Sequence, residues 1–119
     1  MAVQSFRDLI VWQKSMELTK QIYALGKKLP TEERFGITSQ MQRSAVSIPS
    51  NIAEGSKRST AKDYAQFLRI ASGSAAELET QLLLVKDIYT VATEESLSLL
   101  DEIQRMLQVL TKRLLKPTT

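Results

Sequence analysis

Residues 37 to 82 constrain this chain more than any other stretch. One helical pattern there runs through a proline, stops at a glycine, crosses a basic turn and restarts as a longer helical pattern. Ile37, Met41, Ala45, Ile48 and Ile52 recur at steps of three and four. Tyr64, Leu68, Ala71, Ala75, Leu78, Leu82, Val85 and Tyr89 continue in the same rhythm. At about 100° of rotation per residue, each set lies along one face of a helix, so the stretch reads as a helical hairpin.

The turn between the helices carries its own signals. Gly55 follows Glu54, where a residue of left-handed conformation would close a helix without a Cβ penalty. Ser56, Lys57, Arg58 and Ser59 come next, and Thr60 with Asp63 has the spacing of a capping box that opens the second helix. Pro49 is the irregularity. It removes a backbone donor and crowds the carbonyl four residues earlier, at a cost of roughly 3 kcal/mol. Small neighbours at Ser44, Ala45, Ser47 and Ser50 predict a single helix bent at Pro49 rather than two helices.

Two further helices complete the pattern, giving predicted spans of 5–29, 37–54, 61–90 and 94–115. Ser5 and Asp8 suggest a capping box for the first, and Pro30 stops it. Leu18, Ile22, Leu25 and Leu29 form one apolar stripe on it, with Leu9, Trp12, Met16 and Tyr23 beside it. Together they are wider than one core contact requires, which predicts a second buried surface centred on Trp12. Val46, Pro49 and Ala53, opposite the core stripe of the second helix, are the matching candidates for a subunit contact. In the loop PTEERFG, Phe35 is expected to fold back on the core. Gly73, inside the third helix, is expected to mark tight packing. Thr93, Glu94 and Glu95 open the fourth helix, whose buried face is Leu99, Leu100, Ile103, Leu107, Leu110 and Leu114. Four amphipathic helices with short connections predict an all-α, antiparallel up-down-up-down four-helix bundle forming one domain over residues 1–119.

Composition then limits the chemistry. The chain has no histidine and no cysteine, so the commonest general base and the commonest metal ligands are missing. Ser47, Ser50, Asn51 and Glu54 near the proline more naturally satisfy backbone groups freed by Pro49 than form a catalytic site. The expectation is a non-enzyme without metal or other cofactor. No apolar run approaches the length of a membrane span, and the opening MAVQSFRD lacks an apolar leader, which predicts a soluble cytoplasmic protein.

Sixteen Lys and Arg against thirteen Asp and Glu leave a net charge of only +3. The distribution is uneven, with eleven basic and six acidic side chains in residues 1–70 and five and seven in the remainder. Lys57, Arg58, Lys62 and Arg69 form one candidate patch for phosphates, extended by Arg43 and Lys14. Lys27, Lys28 and Arg34 form another at the opposite end. No aromatic residue is expected to act with these basic groups, so binding is expected to use counterion release without base stacking or sequence reading.

The run SIPSNIAEG, within FGITSQMQRSAVSIPSNIAEGSKRSTAKDYAQFLRIASGSAAELETQL and preceded by FRDLIVWQKSMELTKQIYALGKKLP, resembles the four-helix-bundle proteins encoded in bacterial 23S rRNA intervening sequences. It is also similar to the accessory variability proteins of diversity-generating retroelements. The resemblance implies a homo-oligomeric ring, a pentamer, which would account for the surplus apolar surface. It also implies association with RNA or DNA and with a reverse transcriptase; it transfers no catalytic residue. The leading expectation is therefore a non-enzymatic homopentameric bundle that binds nucleic acid weakly and without sequence preference. The alternative is a protein–protein adaptor for a nucleic-acid-processing partner such as a polymerase or a ribosome-associated protein.

Overall fold

The computed structural model describes residues 5–117. Among these it has four helices and no strand: α1 (Ile10–Gly26), α2 (Ile37–Ser56), α3 (Ala61–Ile88) and α4 (Glu94–Leu115). The leader reading at Met1 to Gln4 falls outside the described residues. Each helix packs on the next, α4 packs on α1, and the whole is a rod of 53 × 22 × 21 Å. No described helix is long and apolar enough to cross a membrane.

The apolar stripes explain the packing. Leu18 and Ile22 of α1, Met41, Ile48 and Ile52 of α2, Leu68, Leu78 and Leu82 of α3, and Leu100, Ile103 and Leu107 of α4 share one core and are essentially inaccessible to water. Burying a Leu or Ile side chain is worth about 1.5–3 kcal/mol, so this seam outweighs any single polar contact.

Each helix–helix contact also carries at least one polar link. The Thr19 hydroxyl reaches the Ala45 carbonyl at 3.2 Å between α1 and α2, while lying closer, at 2.8 Å, to the Ser15 carbonyl of its own helix. The Ser47 and Ser74 hydroxyls meet at 2.7 Å between α2 and α3. Between α3 and α4, Ser72 donates to Gln104 at 2.7 Å and the Gln104 amide donates back to the Ser72 carbonyl at 2.9 Å. Ser96 of α4 donates to Gln21 of α1 at 2.9 Å, and Gln21 donates to Glu95 at 3.2 Å.

Helix α2 is continuous through Pro49. Ala45 is the residue whose carbonyl loses its partner when position 49 has no N–H, and Thr19 is the side chain that approaches it. Relief thus comes from α1 rather than from the SIPSN segment, although Asn51 does donate to the Ser47 carbonyl at 2.8 Å.

Several local expectations need correction. The first helix begins at Ile10, not Ser5, because a separate 3₁₀ turn over Phe6–Asp8 precedes it; the Ser5 hydroxyl accepts from the Arg7 N–H of that turn rather than pairing with Asp8. Its regular part ends at Gly26, with looser turns to Leu29. Gly55 does not terminate α2 in a left-handed conformation. It is buried within the last turn, and no glycine has positive φ. Thr60 caps α3 by accepting from the Asp63 N–H at 3.1 Å. Thr93 occupies the cap position of α4, but its buried hydroxyl has no protein partner. Tyr89 at the end of α3 donates to the Glu33 carboxylate, a bond that raises the pKa of the phenol above its ordinary value, with burial adding to the effect.

Gly73 does not mark close packing, since a Cβ there would meet nothing within 4 Å. Its cost to the helix is therefore uncompensated. Gly73→Ala is expected to raise stability by about 0.5–1 kcal/mol, read as a rise of a few degrees in the thermal midpoint; an unchanged or lower midpoint would contradict this.

Candidate nucleic-acid interface

The turn joining α2 and α3 is built by a close backbone approach. A Cβ on Gly55 would lie 2.8 Å from Phe67 Cβ, 2.9 Å from Tyr64 Cδ1 and 3.2 Å from the Tyr64 carbonyl oxygen. Only glycine lets the first turns of α3 sit this close, and that contact gathers the aromatic residues of α3 against the basic turn. Burial in this contact raises the Tyr64 phenol pKa above its ordinary value.

Arg58 is held twice. Its Nη2 lies 2.8 Å from a Glu54 carboxylate oxygen, and its guanidinium sits 4.6 Å from the Phe67 ring centroid. Lys57 Nζ is 6.0 Å from the centroid of Phe6, whose ring packs edge-on against Trp12 at 5.3 Å. A recess of about 330 Å³ beside them is lined by Ser5, Phe6, Leu9, Ser56, Lys57, Tyr64 and Leu110. Lys62 and Arg69 are exposed and, among the described residues, make no ion pair.

Not all of the sequence-selected cations join this cluster. Arg43 is exposed on α2, fourteen residues before Lys57 and so about 21 Å back along the helix. Lys14 on α1 pairs with Glu102 of α4 at 2.9 Å, so a phosphate would have to compete with that carboxylate.

The second basic cluster lies in the α1–α2 connection. Lys27, Lys28 and Arg34 are exposed there, and the Arg34 guanidinium lies 4.9 Å from the Phe35 ring centroid. Phe35 does not fold onto the core. It is 86% exposed, because the 3₁₀ turn at Thr31–Glu33 directs the chain outward before α2 begins. The expectation that no aromatic group accompanies the basic residues is therefore corrected: Phe6, Phe67 and Phe35 each have a cation over or beside the ring. Phe35 next to Arg34 was visible in the sequence. Phe6 and Phe67 required the fold to bring them to Lys57 and Arg58.

The four residues expected at a subunit contact, Trp12, Val46, Pro49 and Ala53, line one groove between α1 and α2. Its volume is about 360 Å³, and Met16, Thr19 and Ser50 complete the lining. Pro49 is buried at its floor, Trp12 and Ala53 are half-buried, and Val46 and Met16 are open to solvent.

Comparison with known proteins agrees with this architecture. A family model described as 23S rRNA-intervening sequence protein matches residues 7–112. The crystal structure of a protein of unknown function from the S23 ribosomal protein family of Bacteroides thetaiotaomicron superposes with a TM-score of 0.80 at 30% identity, covering 87% of this chain and 99% of that one. No curated protein matches.

Proposed function

Because the chain belongs to the 23S rRNA-intervening sequence protein family, we propose that it is a non-enzymatic helical bundle that assembles with copies of itself and binds nucleic acid weakly, without reading sequence. The observation that carries the binding reading is the α2–α3 turn. Lys57 and Lys62 are exposed there without a carboxylate partner among the described residues, Arg58 is fixed beside them, and Arg69, also exposed, follows about two turns further along α3.

Lys14 with Glu102 and Gln21 with Glu95, and likewise Thr19 with Ala45 and Gly26 beside Thr38, pair rising residue numbers on α1 with falling numbers on its neighbour. They support an up-down-up-down arrangement, which puts the two basic connections at opposite ends of the rod. In a closed ring each patch repeats around the symmetry axis, turning three or four local charges into a belt. The groove of Trp12, Val46, Pro49 and Ala53 supplies an apolar surface for that assembly, and the pentamer implied by the resemblance is the proposed ring. Belt binding gains its free energy from released counterions, so it tolerates any sequence and weakens steeply with salt.

The test is a fluorescence-anisotropy titration of a structured RNA and a duplex DNA at about 50 and 200 mM salt. Both should bind, with affinity falling steeply at the higher salt. The double variant Lys57→Glu, Arg58→Glu should weaken both ligands alike and reduce the salt slope by about two, one per lost phosphate contact. Unchanged affinity would rule out the α2–α3 turn. A pull-down of a polymerase or ribosome-associated protein that survives nuclease and high salt would favour the adaptor role instead.

A further inference from the structure

The α1–α2 connection differs from the α2–α3 turn in one respect that bears on the ligand. Its aromatic rings are open. Phe35 is 86% exposed, and Tyr23, one α1 turn before Lys27, is 46% exposed. Neither ring is explained by the core, and Arg34 joins them. Its guanidinium lies 4.9 Å from the Phe35 centroid, and the same side chain lines a recess of about 340 Å³ with Tyr23, Lys27, Thr38 and Gln42. The Thr38 residue is 7% exposed, and its hydroxyl has no hydrogen-bond partner. Lys27, Lys28 and Arg34 make no ion pair among the described residues; of the nearby acids, Glu33 is engaged by the Tyr89 hydroxyl and Glu32 is exposed.

We infer that this connection is a binding site for unpaired nucleotides of a single strand, with a base stacked on Phe35 and its phosphate held by Lys27 and Arg34. The inference rests on the nucleic-acid reading above and narrows it to a ligand class. A base inside a duplex hides its faces against its neighbours, whereas an unpaired base offers a face to an aromatic side chain whatever its identity. A recess of this size is large enough for a small ligand. Arg34 fits the role because its planar group stacks on a ring while donating to a phosphate. The Gln42 amide, in the recess that Arg34 also lines, adds a polar group without imposing one sequence.

Three fluorescein-labelled probes of equal length test this: an oligouridylate, an RNA duplex, and an abasic strand with the same phosphates. The native protein should bind the oligouridylate roughly tenfold more tightly than the abasic strand. Phe35→Ala should remove most of that difference while keeping the native melting temperature, since the ring is outside the core. Phe35→Tyr should restore it. The Lys57→Glu, Arg58→Glu variant should lower affinity for every probe alike. Equal affinity for oligouridylate and abasic strand, or no effect of Phe35→Ala, overturns the stacking site and leaves phosphate binding standing. Failure of all three probes to bind at about 50 mM salt overturns both.

Discussion

Gly55→Val is expected to destabilise the fold by about 3 kcal/mol, lowering the thermal midpoint by roughly 10 °C in a circular-dichroism melt. Every atom of a valine side chain beyond Cβ would have to enter a space already closed at Cβ. The contacts at 2.8 and 2.9 Å involve Phe67 Cβ, which cannot move without its backbone, and the Tyr64 ring, while the Tyr64 carbonyl stands at 3.2 Å. Relief requires α3 to shift away from α2. Gly55→Ala is expected to be milder, because the helix propensity gained over glycine, about 1 kcal/mol, offsets part of the overlap. A valine variant that melts with the native protein would show that the two helices are not held at this separation. The same variant should also loosen the placement of Arg58, whose ring partner Phe67 is the residue displaced.

Leu78→Ala should cost about 2–5 kcal/mol, because Leu78 is fully buried among the apolar faces of the bundle and its removal leaves a cavity that surrounding helices can only partly close. Leu84→Ala, on the same helix but 46% exposed, should stay within about 0.5 kcal/mol of the native protein. Chemical denaturation of the pair separates the core seam from the exposed face of α3. Similar losses at both positions would mean that Leu84 is covered in solution by something outside one chain.

The repeating apolar residues made the core readable in advance. Leu68, Leu78 and Leu82, or Leu100, Ile103 and Leu107, were assigned from spacing alone, and they are the residues that lie inside. Spacing works because burial on a helix is set by local rotation, which the sequence encodes directly. The groove residues Trp12, Val46, Pro49 and Ala53 were legible for the same reason, as surplus apolar surface on two neighbouring faces.

What stayed hidden was whatever depended on where a loop points or on contacts between distant residues. Phe35 was assigned inward because phenylalanine usually is, yet the preceding 3₁₀ turn aims it at solvent. Gly55 and Gly73 exchanged roles: the one read as a helix terminator is where two helices meet, and the one read as a close approach faces open space. A glycine reports that a side chain is absent, not why. The cation Lys14 was read as open to a phosphate until the fold set Glu102 beside it.

The hydrogen-bonded links between helices bear on a different question, that of uniqueness. Leucine and isoleucine faces can slide along one another by a helical turn, about 5.4 Å, and still bury similar apolar area. A link such as Ser72 to Gln104, satisfied in both directions, exists at one offset only. Moved by a turn, each of these groups would lose its partner, at a cost that approaches about 1–3 kcal/mol only where the group is left buried, as at Ser96. The apolar seam thus makes the helices adhere, while the serines, Thr19 and the two glutamines choose the single alignment at which they come to rest. The proline in α2 belongs to the same device: by leaving the Ala45 carbonyl without its own helix's donor, it makes one point on α2 recognisable to α1.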